Sequence, residues 1–173
     1  MDEQYKILVV DDEQFILSAL ARAMRKENFT SDFISEPEKA LLKLREQPYD
    51  IVVSDHLMPN MTGLEFLKQV RKEHPETLRI ILTGHADMEM IIEAINEGQI
   101  YRFITKPWND EELRITLRIA LQHHHSMEQN RNLEGFISKQ LAYIEDLERK
   151  YPGISVVEKD EEGVIHIDMP ESA

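Results

Sequence analysis

The chain has no cysteine, which excludes disulfides and thiolate metal sites and fits a reducing compartment. It also has no apolar run approaching the roughly 20 residues that span a bilayer. The N-terminal "MDEQYK" is acidic and passes directly into a strand-like run, unlike the basic and apolar regions of a signal peptide. These absences predict a cytoplasmic protein with no membrane partner. Basic residues are scarce, with 20 Lys and Arg against 33 Asp and Glu, a formal net charge of −13. Such a surface repels phosphate backbones unless a basic patch gathers on one face, and no such cluster is found, so no nucleic-acid partner is expected. Against these absences stand 173 residues, 42% of them hydrophobic, enough for one ordinary core plus an appendage.

Period and punctuation divide the first two thirds into alternating strands and helices. "YKILVV" (5 to 10) reads as a buried strand, and residues 12 to 29 carry Phe15, Ile16, Leu20 and Met24 at helical spacing. A shorter strand follows near 31 to 34, then a helix with Pro37 in its first turn. "DIVVS" is a third strand, and "GLEFLKQVRKEH" is a helix ending before Pro75. "LRIILT" (78 to 83), a helix over 87 to 98 closed by Gly98, "YRFIT" (101 to 105) and a helix from about 109 complete five βα units. Strands separated by helices of this length imply right-handed crossovers and a parallel sheet covered on both faces. The functional site of such a sheet lies beyond the carboxyl ends of its strands.

At those ends stand Asp11 and Asp12, Asp55, Thr83 and Lys106. If the first and third strands are neighbours, three carboxylates crowd one pocket, where like charges are costly without a compensating cation. An all-oxygen site suits Mg²⁺ (or Mn²⁺), which takes few carboxylates, keeps waters and completes its shell with phosphate oxygens. Lys106 and Thr83 add the positive charge and hydroxyl donor that a phosphoryl group needs. Any one of these residues alone signifies little; their joint spacing is specific.

The stretches "VVDDE", "VSDHLMP", "ILTG" and "FITKPW" resemble, in order and spacing, the motifs of response-regulator receiver domains, and the likeness covers about residues 4 to 122. It implies a CheY-like (flavodoxin-like) doubly wound α/β fold with a five-stranded parallel sheet in the order 2-1-3-4-5. Carried over position by position, Asp55 resembles the phospho-acceptor, Asp12 the direct metal ligand and Asp11 the acidic partner acting through water. Leu57 would offer its backbone carbonyl to the metal, and Thr83 and Lys106 resemble the phosphoryl-binding pair. Phe103 takes the place of the aromatic switch residue, and Lys106-Pro107 that of a cis peptide aiming the amine into the pocket. Gly63 is expected to let the helix after Asp55 start close to the site. The resemblance implies a cognate sensor histidine kinase or phosphotransfer protein as phosphoryl donor. It implies no enzyme beyond a domain promoting its own phosphotransfer and autodephosphorylation. "GQIYRFITKPW" is particularly similar to receivers preceding HD-GYP phosphodiesterase or σ54-activator domains, yet neither output domain is recognised.

The remaining residues divide, as an expectation, into a receiver at 1–122, a helical extension at 123–151 and a β-hairpin tail at 152–173. From Asn109 there is no strong helix breaker before Pro152. A continuous helix over that span would reach roughly 60 Å. Leu133, Ile137, Ile144, Leu147 and Tyr151, with Gln140 at the missing heptad position, suit a two-stranded coiled coil and hence a homodimer. A helical hairpin broken around Asn130 to Gly135 is the competing arrangement. "ISVVEKDEEGVIHID" alternates on both sides of a turn at Asp160 to Gly163, as a hairpin does. His123, His124 and His125 point about 100° apart on a helix, so they cannot share one ion and are expected on an exposed face. His85, near the pocket mouth, either biases the attacking water or is a solvated loop residue. The function expected is a phosphorylation-switched protein-interaction module with an unknown downstream protein and no catalytic or DNA-binding output. The alternatives are a phosphorelay or phosphate-sink receiver and, third, a transcriptional regulator.

Overall fold

The computed structural model describes residues 5–84 and 88–152. The expected hairpin at 154 to 168 and the position of His85 lie outside the described residues. The chain forms two compact units, Met1–Met127 and Glu128–Ala173.

In the first unit, β1 (Tyr5–Val10), β2 (Phe29–Ile34), β3 (Ile51–Asp55), β4 (Leu78–Thr83) and β5 (Arg102–Thr105) form one sheet in the order β2-β1-β3-β4-β5. Every adjacent pair is parallel. This is the doubly wound order expected. Successive residues of a strand face opposite sides, so the continuous apolar run of β1 serves two cores. Ile7 and Val9 pack with Leu17 and Leu20 of α1 (Gln14–Met24) and with Leu113 and Leu117 of α5 (Asp110–Lys150). Leu8 and Val10 pack with Leu44 of α2 (Pro37–Glu46), Phe66 of α3 (Gly63–Glu73) and Ile91 of α4 (Met88–Asn96). A strand covered on both faces is thereby held rigidly, and its carboxyl end is a fixed platform.

Local chemistry sets several of the helix starts. Pro37 occupies the first turn of α2, where its missing N–H costs nothing. Thr62 caps α3 through a capping box: its hydroxyl accepts from the Glu65 N–H at 3.2 Å, and the Glu65 carboxylate accepts from the Thr62 N–H at 2.8 Å. The Asn109 side chain accepts from the N–H groups of Glu111 and Glu112 and opens α5. Two elements differ from expectation. α1 is shorter than 12 to 29, because Glu13 is still extended and Phe29 is taken into β2 opposite Tyr5. β2 is correspondingly longer than 31 to 34.

The three histidines are not simply an exposed face. His123 stacks on Tyr101 with ring centroids 5.0 Å apart, and His125 meets Tyr5 edge-on at 6.3 Å. His124 is buried, its Nδ1 3.4 Å from Asp50 Oδ1. Asp50 in turn accepts the Lys6 N–H at 2.6 Å. The 100° step of the helix does keep the three apart, but it sends each to a different partner at the amino-terminal rim of the sheet.

The helix runs from Asp110 to Lys150 without a break at Asn130 to Gly135, so the broken hairpin is not the arrangement found. In the second unit Gly135 is helical, and a Cβ placed there would meet no atom within 4 Å. Gly135→Ala is therefore expected to stabilise the helix by about 1 kcal/mol, because alanine loses less backbone entropy on ordering. Circular dichroism of the full chain on heating tests this; loss of helicity in the variant would contradict it. No helix among the described residues is long and apolar enough to cross a membrane.

Candidate functional site

β1 and β3 are adjacent, with Val10 opposite Ser54, so their carboxyl ends bring Asp11 and Asp55 together. Asp11 is fully buried and Asp55 nearly so, while Asp12 is exposed. One carboxylate oxygen from each of the three lies within 4.8 Å of the others. Lys106, just beyond β5, bridges the two buried acids, its Nζ 2.9 Å from Asp11 Oδ2 and 2.6 Å from Asp55 Oδ1. The Lys106 N–H bonds the Thr83 carbonyl at 2.8 Å, which ties the loop after β5 to the end of β4. The Lys106-Pro107 peptide is cis.

Burial holds the Asp11 carboxyl above the ordinary carboxylate range, although the hydrogen bonds from Lys106 and the Glu13 N–H pull it down. Burial pushes the Lys106 ammonium down, yet its hydrogen bonds to Asp55 and Asp11 outweigh this, so its pKa lies above the usual lysine value. The amine is a fixed positive charge.

The remaining residues are placed as follows. Thr83 is buried at the end of β4, its hydroxyl donating to the Gly84 carbonyl at 3.1 Å. Leu57 is exposed, and its N–H donates to Asp55 Oδ2 at 3.2 Å. Phe103 is half-buried in β5 against the second core. Gly63 opens α3 directly against the acceptor strand: a Cβ there would lie 1.9 Å from the Asp55 carbonyl oxygen. Sequence reasoning missed that Lys106 touches both buried acids at once and that Glu13 holds Asp11 by its backbone. The first is legible only once strand order is known. The second has no side-chain signature.

The residues present fit a divalent cation. Three carboxylates converge, two of them in buried positions, and among the described residues a single ammonium lies against the buried pair. The donor set is all oxygen, which suits Mg²⁺.

A sheet of this order with acidic residues at its carboxyl rim defines a CheY-like signalling fold. The sequence profile described as "Response regulator receiver domain" matches residues 7–118, more than half of the chain. The chain belongs to that family, and the matched part is a receiver domain of a two-component response regulator. It is similar to the hydrogenase transcriptional regulatory protein HoxA of Cupriavidus necator, 41% identical over 121 residues, covering 70% of this chain and 25% of HoxA. The DNA-binding transcriptional regulator NtrC of Salmonella typhimurium is 31% identical over 128 residues, covering 74% of this chain and 27% of NtrC. The chain thus spans about a quarter of the length of these curated relatives. Among solved structures, the signal receiver domain of an HD domain-containing protein from Pseudomonas fluorescens Pf-5 matches with a TM-score of 0.69 at 38% identity, covering 75% of this chain and 95% of that one. A receiver domain protein from Clostridium thermocellum matches with a TM-score of 0.67 at 30% identity, covering 71% and 98%.

Proposed function

We propose that Asp55 accepts a phosphoryl group from a sensor histidine kinase, a phosphotransfer protein or a small donor such as acetyl phosphate. The observation that carries this reading is the Lys106 bridge between Asp11 and Asp55 with Asp12 within reach. Asp55 supplies the attacking carboxylate oxygen; a P–O bond forms as the donor's P–N or P–O bond breaks, and the leaving imidazole or acetate keeps the electron pair. Asp12, Asp55 and the Leu57 carbonyl would hold Mg²⁺ or Mn²⁺ directly, with Asp11 acting through water. A metal bound there neutralises charge developing on the transferred oxygens. Lys106 then pairs with the phosphoryl group instead of the bare carboxylate, and Thr83 turns its hydroxyl from Gly84 toward it. The vacated space lets Phe103 move inward and repack the face made by α4, β5 and α5, a two-state element biased by one local charge change. Phe103 has no hydroxyl, so packing alone supplies its preference.

Lys106→Ala is expected to leave metal binding in place while uncoupling phosphorylation from this response. The single Trp108 lies beside Lys106, with Ile16 and Pro107, and serves as the reporter. Mg²⁺ should perturb its fluorescence in both proteins, and NMR shifts along residues 88 to 108 on adding beryllofluoride should appear only in the wild type. Equal shifts in the variant would contradict the role of Lys106.

The module reading assigns residues 1–122 to the receiver and 123–151 to a dimerising helical extension rooted by the histidine contacts, with 152–173 as its tail, in a cytoplasmic protein. Burying one aliphatic side chain of the extension stabilises a dimer by roughly 1.5 to 3 kcal/mol, so a symmetric pair of stripes can offset the entropy of association. A second reading, a receiver acting in transcription, is favoured by the names of the curated relatives, which are transcriptional regulators. Removing residues from 126 onward separates the module from a phosphorelay role: loss of partner binding with phosphotransfer intact supports the module, and unchanged signalling supports the relay.

A further inference from the structure

The second unit carries an apolar face with no covering partner among the described residues: Leu133, Phe136, Ile137, Leu141 and Ile144 are each about half exposed or more. Asn130, Ile137, Ile144 and Tyr151 form one row of a heptad seam, and Leu133, Gln140 and Leu147 the other, with spacings alternating between three and four. The charged residues lie elsewhere. Asp146 pairs with Arg149 and with Lys150 along the same helix, and Gly135 falls at the position farthest from the seam.

Two features of this face choose its occupant and its direction. Phe136 and Leu141 sit just outside the seam, on opposite flanks. In a parallel, in-register pair the residue on the one flank faces the residue on the following opposite flank of the partner, so Phe136 meets Leu141 of the second copy, twice by symmetry. The same alignment sets Asn130 against Asn130 and Gln140 against Gln140, where each amide can bond its twin, and polar layers of this kind specify register. The antiparallel alternative matches one row with the other. A register that places Leu133 against Tyr151 and Ile137 against Leu147 then puts Gln140 against Ile144 and Glu134 against Glu148, each twice. That buries amides without partners and sets like charges face to face.

We propose that the helix beyond Glu128 pairs with a second copy of itself in parallel and in register, with Asn130 and Gln140 as self-pairing polar layers and Phe136–Leu141 contacts sealing the flanks. This rests on the dimer reading above and adds strand direction and register to it. The full chain lacks cysteine, so a single introduced thiol reports on one position. Leu133→Cys and Ile144→Cys should each oxidise to a self-linked dimer at micromolar concentration, because matching seam positions fall within the Cα separation a disulfide spans. Gly135→Cys, on the outer face, should link at least about tenfold more slowly, since its thiols point apart. If neither seam variant links to itself but a mixture of Leu133→Cys and Tyr151→Cys links readily, the pair is antiparallel and the inference is overturned with the dimer intact. If light scattering gives a monomer and none of the variants links, the dimer reading itself fails.

Discussion

Replacing Gly63 by alanine is expected to destabilise the receiver by about 3 kcal/mol and to displace its acceptor. The added Cβ would sit 1.9 Å from the Asp55 carbonyl oxygen, 2.9 Å from its carbonyl carbon and 3.0 Å from His56 Cα. All three are backbone atoms at the end of a fully buried strand, so no flexible side chain can yield. The Gly63 N–H also bonds the His56 carbonyl at 2.8 Å, which fixes the approach from the other side. Either α3 is pushed outward, opening the core around Phe66 and Leu67, or the end of β3 shifts and carries Asp55 away from Lys106. Overpacking of this severity costs about 1 to 3 kcal/mol or more. For a domain of this size that lowers Tm by roughly 10 °C. A thermal melt checks the first consequence, and the rate of labelling by acetyl phosphate with Mg²⁺ checks the second. A variant that melts within a degree or two of the wild type and labels equally fast would show that the close approach is not a constraint.

Asp55→Asn is expected to abolish stable phosphoryl incorporation, with labelling falling at least ~100-fold, while leaving the fold in place. The amide has the shape of the carboxylate but offers no anionic oxygen to attack phosphorus. It also removes one of three crowded negative charges, so the Lys106 ammonium turns wholly toward Asp11, 2.9 Å away. The loss therefore separates chemistry from folding, which Gly63→Ala does not. Asp12→Ala provides the complementary case: it is exposed and should cost little stability, yet it should remove the Mg²⁺-dependent change in Trp108 fluorescence. Retention of that change would place the metal elsewhere.

Much of this site was readable from residue order because the sheet does most of the positioning. The β-branched runs of β1 and β3 and the apolar run of β4 are long, continuous and bounded by turn residues, so their carboxyl ends could be marked within a residue or two. Where the signal was weaker, the boundaries moved. β2 is only partly buried along its length, its composition is mixed, and the sequence pattern places Phe29 in the preceding helix and Thr30 in neither element. The gathering of these residues in one pocket was legible, but the individual side-chain contacts that depend on which element lies next to which were not. Lys106 reaches Asp11 across 95 positions of sequence, and nothing in "FITKPW" names that partner. The histidines show the same limit. Helical geometry gave their divergence, but the burial of His124 against Asp50 follows from where α5 crosses the base of the sheet. The Thr83 hydroxyl likewise points to Gly84, a rotamer that residue type alone does not reveal.

The claim on which the functional account depends is that Asp55 is the acceptor and that a divalent cation is required. Intact mass spectrometry of the full chain after incubation with acetyl phosphate, followed by peptide mapping of the adduct, tests it directly. The account predicts one added phosphoryl group, located on Asp55, formed with Mg²⁺ and absent when EDTA is present. An adduct on another residue, or one that forms equally well in EDTA or in Asp55→Asn, would contradict it.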